Sequence, residues 1–223
     1  MIKNKEVFYF HQEKGGSKMK GKALIFLMIL SVIAVFLGCA ESKIYLVDVR
    51  YIPEEKAPPT SKVVGICPLE DARKEKETET IGTRHRPRKK VDFLRLEGIS
   101  LSESVTQAVK DHFLERGFEV TDCKGWDKSA EGLERLPKDL FLVVAGKIDS
   151  FKVEATSGIS ITDTQYTVKM EAFIGQIEKR KMVTRSIASA PRTKKVGFDP
   201  EEVKARLNSI LTEVIQRLFE GKY

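Results

Sequence analysis

Residues 100–123 read SLSESVTQAVKDHFLERGFEVTDC. Ser100 and Glu103 form a capping box, with a hydroxyl at the cap and a carboxylate three residues on. Leu101, Val105, Ala108, Val109, His112 and Phe113 then recur on one face at helical spacing. Gly117 supplies the left-handed residue that stops a helix, and Phe118 to Cys123 follows as a strand. Upstream, Lys62 to Leu69 (KVVGICPL) is a short apolar run ending against a proline, which suits a buried strand. Strand, helix, strand in this order predicts a right-handed crossover joining parallel strands.

Working outward, Lys124 to Lys138 is a polar loop carrying the lone tryptophan, Trp126. Asp139 to Val153 and Thr162 to Ile177 are long β runs joined around Ser157-Gly158. In the second, Tyr166, Val168, Met170, Ala172 and Ile174 alternate with their neighbours, so one face is buried. Met182 to Ala190 makes a further strand. Asp199-Pro200-Glu201-Glu202 opens a last helix with a cap, a first-turn proline and acids against the dipole. On the amino-terminal side, Val91 to Leu96 alternates as a half-buried strand, and Glu70 to Lys90 reads as an exposed charged loop. Lys43 to Tyr51 is a short strand or extended arm, and Pro53, Pro58 and Pro59 stiffen the connection that follows. The expected fold is α+β: a mixed β-sheet with two helices packed on one face, in a β-α-β-β-β-α core.

Ahead of this domain stands a different kind of segment. Lys18, Lys20 and Lys22 lead into the uncharged run Ala23 to Leu37, and the chain continues Gly38-Cys39-Ala40. A basic stretch, an apolar stretch and a small residue at the cut make a secretory signal peptide. A cysteine directly after the cut makes it the lipoprotein variety, cleaved between Gly38 and Cys39 and acylated on the Cys39 thiol. Two other readings are an uncleaved anchor, since Ala23 to Ala40 is long enough to approach a spanning helix, and an ordinary signal followed by an unmodified cysteine. Met19 would serve equally well as the start. The organisation is therefore a lipoprotein signal over 1–38, a lipidated extended arm over 39–61 and a single periplasmic domain over 62–223.

From Cys39 onward the chain holds 33 Lys/Arg and 30 Asp/Glu, so its charge is close to balance and does not mark a nucleic-acid binder. Export argues against nucleic acid as well. With Cys39 lipidated, Cys67 and Cys123 are left as an even pair in an oxidising compartment, either bonded to each other or present as two buried thiols. His85 and His112 fall in no metal-ligand spacing, so no metal or other cofactor is expected. No nucleophile elbow, phosphate loop or dinucleotide fingerprint is present, and no catalytic residue is assigned. His112 lies on the buried helix face and reads as a hydrogen-bonded core residue. His85 reads as a loop residue.

Three features remain as binding candidates. Arg84, Arg86, Arg88, Lys89 and Lys90 form a basic run that could hold an anion such as a lipid headgroup phosphate, or could be a solvated loop. Trp126 could anchor a partner or pack against the sheet edge. Asp71 and Arg73, directly after a strand, are placed for a local ion pair.

The chain resembles the YajG-like family of small bacterial lipoproteins. The likeness is carried by the signal ending at Cys39, by Tyr51-Ile52-Pro53, by Val63 to Leu69 running into Asp71-Ala72-Arg73, and by Ile81-Gly82. It is also carried by the Leu101 to Val120 segment with its Arg-Gly-Phe end, the long hairpin with Tyr166, and the Asp-Pro helix start. The resemblance implies an outer-membrane lipoprotein facing the periplasm, with no reaction attached. Ala40 rather than Asp after the lipidated cysteine agrees with the outer membrane under the enterobacterial sorting rule. The expected role is a non-enzymatic accessory or binding module that docks an envelope protein, the alternative being direct binding of an anionic lipid or glycan by the basic run.

Overall fold

Ser100 caps helix α1 (Leu101–Glu115) as its sequence requires. Its hydroxyl accepts from the Glu103 N–H at 3.3 Å, and the Glu103 carboxylate accepts from the Ser100 N–H at 3.0 Å. Gly117, at φ +81°, ends the turn, and a Cβ there would also strike the Pro58 carbonyl. Asp199 caps helix α2 (Pro200–Leu218) by accepting from the Glu201 N–H at 3.0 Å. The computed structural model describes residues 41–74 and 79–221, and residues 42–223 cluster as one compact unit. Gly38, Cys39 and the signal segment lie outside the described residues.

The sheet is organised around one strand. β7 (Leu140–Ser157) pairs along one edge with β8 (Ile161–Gln176), antiparallel over nearly its whole length. Its other edge is shared in succession by β2 (Val63–Ile66), β3 (Glu70–Asp71) and β4 (Thr80–Arg86), all parallel to it. β6 (Glu119–Asp122) continues the sheet beyond β2 in parallel, as the crossover pattern predicts. β5 (Lys90–Leu96) pairs antiparallel with β4, and β1 (Ile44–Val47) lies parallel on β5. On the far side, β8 carries β9 (Lys181–Ser189) and β10 (Arg192–Val196), both antiparallel.

The fold class is α+β with a large mixed sheet and two helices, but the element order is richer than expected. Five strands precede α1, two of them (β3 and β4) beyond those read at Lys43–Tyr51, Lys62–Leu69 and Val91–Leu96, and β10 was not foreseen. The polar stretch read as a loop contains the whole of β4. Leu142, Val144, Phe151 and Val153 of β7 meet Tyr166, Val168 and Met170 of β8 in one core with the buried stripes of both helices. Leu207, Ile210, Leu211, Val214 and Leu218 of α2 are essentially inaccessible there, each contributing about 1.5–3 kcal/mol by burial.

The opposite face of the sheet has its own small core. Val143 and Ala145 pack with Cys67, Cys123, Leu133 and Trp126. Gly175 makes this possible: a Cβ there would come within 3.1 Å of the Trp126 ring and closer still to Leu133 and Val143.

The segment after β1 is built into the domain. Val47, Val49 and Tyr51 are buried on alternate positions. Asn208 accepts from the Arg50 N–H at 3.2 Å and donates to the Asp48 carbonyl at 3.0 Å, while the Thr212 hydroxyl accepts from the Ile52 N–H at 2.9 Å. These two buried polar side chains of α2 act for the arm as a neighbouring strand would. The Ala57 N–H then donates to the Glu115 carbonyl at 2.8 Å and the Thr60 N–H to the Gly117 carbonyl at 2.6 Å.

Candidate functional site

The basic run does not form one anion cradle. β4 and β5 make a hairpin whose buried face carries Asp92, Leu94 and, half-buried, Leu96, so Asp92 points inward with no exposed surface. An isolated buried carboxylate is prohibitively unfavourable, and Arg84 and Arg86 supply its partners. Arg86 Nη2 stands 2.9 Å from Asp92 Oδ1 and Arg84 Nη1 stands 3.5 Å from Oδ2. The Lys43 N–H donates to Oδ1 at 2.9 Å. Arg84 also donates to Ser157 Oγ at 2.8 Å and lies 4.3 Å over the Phe198 ring. Arg84 and Arg86 are therefore structural cations that join β4, β5, β1 and the end of β7. The anion-binding reading of these two is corrected on that ground.

Arg88, Lys89 and Lys90 form the hairpin tip, with Arg88 and Lys89 exposed and Lys90 partly so. Arg88 and Lys89 sit at φ +64° and +59°, where hairpin turns ordinarily place Asn or Gly because other side chains crowd the backbone. His85 is exposed on β4.

Trp126 is only 7% exposed, and its indole N–H donates to the Ser129 carbonyl at 3.0 Å. The loop folds back to cover the second face of the sheet, so Trp126 is a core residue and not an exposed anchor. Asp71 and Arg73 form the expected pair in bidentate geometry, at 2.9 and 2.8 Å. The Arg73 hydrogen bonds hold the Asp71 carboxyl below its ordinary value.

Cys67 and Cys123 are adjacent, each one residue past the paired ends Ile66 and Asp122 of β2 and β6. Both are buried free thiols. Burial, and then the neighbouring Cys123, push the Cys67 thiol up to about 12. Both cysteines of protein prepared under reducing conditions are thus expected to resist iodoacetamide at neutral pH while folded and to alkylate fully in denaturant. Mass spectrometry of the labelled peptides checks this, and rapid alkylation of native protein would contradict it.

A cluster that the sequence pattern did not reveal joins the arm to α1. The Tyr51 hydroxyl donates to Glu115 Oε2 at 2.5 Å and lies 3.2 Å from His112 Nδ1. The Glu54 N–H donates to the other Glu115 oxygen. Since the single hydroxyl proton goes to Glu115, His112 donates from Nδ1, leaving Nε2 as a buried acceptor without a partner. Burial first, and the Arg116 charge second, bring the His112 pKa down to about 4, so the ring is neutral at physiological pH. Burial and the Glu115 hydrogen bond raise the Tyr51 pKa above its ordinary value, which keeps the phenol protonated. These residues line a 540 Å³ surface pocket with Glu54, Arg116 and Gln216. As expected, His112 is a hydrogen-bonded core histidine. Glu115 carries no signal in the sequence, because charged residues close a helix in most exposed settings too.

Among the described residues no group of three or more His, Cys, Asp or Glu side chains could hold a metal ion, and no helix is long and apolar enough to cross a membrane.

No family model matches the chain, and no curated protein matches it. Solved structures that resemble it include a DUF330 protein from Xanthomonas campestris, 15% identical over 79% of this chain and 92% of that one, with a TM-score of 0.49. A protein from Helicobacter pylori described as a homologue of a neuraminyllactose-binding hemagglutinin is 11% identical over 78% and 89%, with a TM-score of 0.42. A lipoprotein from Neisseria meningitidis is 10% identical over 70% and 99%, with a TM-score of 0.32. All three sources are bacterial and one is a lipoprotein. At these TM-scores nothing about function follows from the likeness.

Proposed function

We propose that the chain is a lipid-anchored, non-enzymatic binding module of the bacterial cell envelope, acylated on Cys39 and facing the periplasm from the outer membrane. The observation that carries this reading is the position of β1. It begins at Ile44, five residues beyond Cys39, so an extended leader could span no more than about 17 Å. A lipid on Cys39 would hold the domain against the bilayer, where a partner in the envelope can reach it. The YajG-like pattern of elements supports the same assignment. Docking of an envelope protein is the role we assign to the module, and affinity purification from crosslinked envelopes would identify that partner.

Cys39→Ser is expected to abolish incorporation of radiolabelled palmitate and to leave the chain either uncleaved or released from sedimented membranes. A Cys39→Ser protein that is cleaved and still sediments with membranes would refute the lipid anchor. Density-gradient fractionation of the wild type tests the outer-membrane assignment, and recovery in the inner membrane would overturn it.

A further inference from the structure

Six neighbouring strands, in the order β1, β5, β4, β7, β8 and β10, bring their ends together on one side of the sheet. Register shows it directly: Ile44 pairs with Phe93, Arg86 with Lys90, His85 with Thr156, Ser157 with Thr162, and Ile161 with Val196. At this end the β7–β8 turn exposes Ile159 completely, at 102%, and Val196 on the neighbouring strand is 87% exposed. Ile161 and Ile44 add further apolar surface. Loop tips are ordinarily polar, and single exposed hydrophobes need no explanation. Here three of the large exposed hydrophobes, Ile159, Ile161 and Val196, converge on one end, and Ile44 lies three residues in from it on β1.

The same end is cationic. Arg88 and Lys89 project from a turn that holds both in a left-handed backbone conformation, with Lys90 and Lys43 beside it. Among the described residues no salt bridge involves these four. Three carboxylates at that end are matched by cations, Asp92 by Arg84 and Arg86, Asp163 by Arg192 at 2.6 Å, and Glu202 by Lys195, while Asp199 caps α2. β1 runs away from this end, so the chain enters the strand from the side where Lys43 lies.

We infer that this end, with Ile159 and Val196 as apolar contacts and Arg88, Lys89 and Lys90 as phosphate contacts, rests on the anionic headgroups of the bilayer that holds the lipid. The inference deepens the anchoring reading and rests on it. Apolar side chains at the acyl boundary flanked by basic residues are how proteins lie on such surfaces. Each Lys or Arg near an anionic surface contributes about 1 kcal/mol, or roughly fivefold in partitioning. The opposite end of β7 offers Lys138 and Asp139 instead, both exposed and opposite in charge.

The test uses full-length lipidated protein in phosphatidylethanolamine–phosphatidylglycerol vesicles. An environment-sensitive dye is placed on Ile159→Cys or, as control, on Lys138→Cys, with the buried native thiols unlabelled. The dye at 159 is expected to shift blue and to be quenched by brominated lipid, while the dye at 138 stays in water. The triple variant Arg88→Ser, Lys89→Ser, Lys90→Ser should lose most of the shift at 159, on the order of a hundredfold in partitioning. A dye at 159 in water, on protein that takes up palmitate and floats with the vesicles, overturns this surface and leaves the anchor standing. So does protection of the dye only in crosslinked envelopes, which would assign the patch to a protein partner. Absence of palmitate and of flotation removes the anchor and the surface together.

Discussion

Asp92→Ala is expected to destabilise the domain by about 3 kcal/mol, measured by denaturant unfolding. Removing one member of a buried ion pair leaves the other charge without compensation, which costs about 3–5 kcal/mol. The lower end applies because Arg84 and Arg86 keep 17% and 19% of their side-chain surface. The substitution also strips an acceptor from the Lys43 N–H, so β1 should fray first. Asp92→Asn keeps that acceptor and the packing while losing the charge, and should fall between the wild type and Asp92→Ala. Equal stability of all three proteins would show that Asp92 does not tie these strands together.

The second large effect is a loss of stability on acidification, and its window follows from His112. The imidazole titrates near 6.5 in the unfolded chain and about 4 in the folded one. Between these values the unfolded state binds more protons, so stability is fully present above about pH 6.5 and declines as pH falls toward 4. The shift corresponds to about 3 kcal/mol. Asp71 contributes in the same direction, but only as pH falls below its unfolded value of 3.8, outside that window. His112→Gln cannot titrate and should flatten the stability curve between pH 4 and 6.5, whatever its stability at pH 7. An unchanged slope in that variant would exclude His112 as the source.

Elements with strong local chemistry were readable directly. The capping box at Ser100, the stop at Gly117 and the Asp199-Pro200 start each carry their reason within four residues. The alternation in β8 shows its buried face. Where the reading failed, the deciding contact lay far along the chain. Val91 to Leu96 alternates on either phase, and only its neighbours place Asp92 and Leu94 inward. Thr80–Arg86 looks like solvated chain because its arginines are balanced by a carboxylate on the next strand. β10 has no apolar pattern, since it pairs only with β8 at the margin of the sheet. Trp126 sits in a polar loop, and the signal for its burial is Gly175, forty-nine residues later, whose missing side chain makes the room. A longer separation, 61 and 64 residues, hid the Tyr51–His112 and Tyr51–Glu115 contacts, whose members come from the arm and α1.

The sharing of one edge of β7 by three separate strands has a consequence for the order in which the chain can assemble. Val64 meets Leu142, Glu70 meets Lys147 and Gly82 meets Val153, so β2, β3 and β4 have no common partner until residues 140–157 are available. The amino-terminal half can form α1 with the β2–β6 pair and the three strands β1, β5 and β4, but not the sheet that joins these pieces. Pairings between such remote segments place folding in the millisecond-to-second range typical of non-local β topologies. A chain that stays open until its second half arrives is one that can be threaded through a translocation pore before it closes.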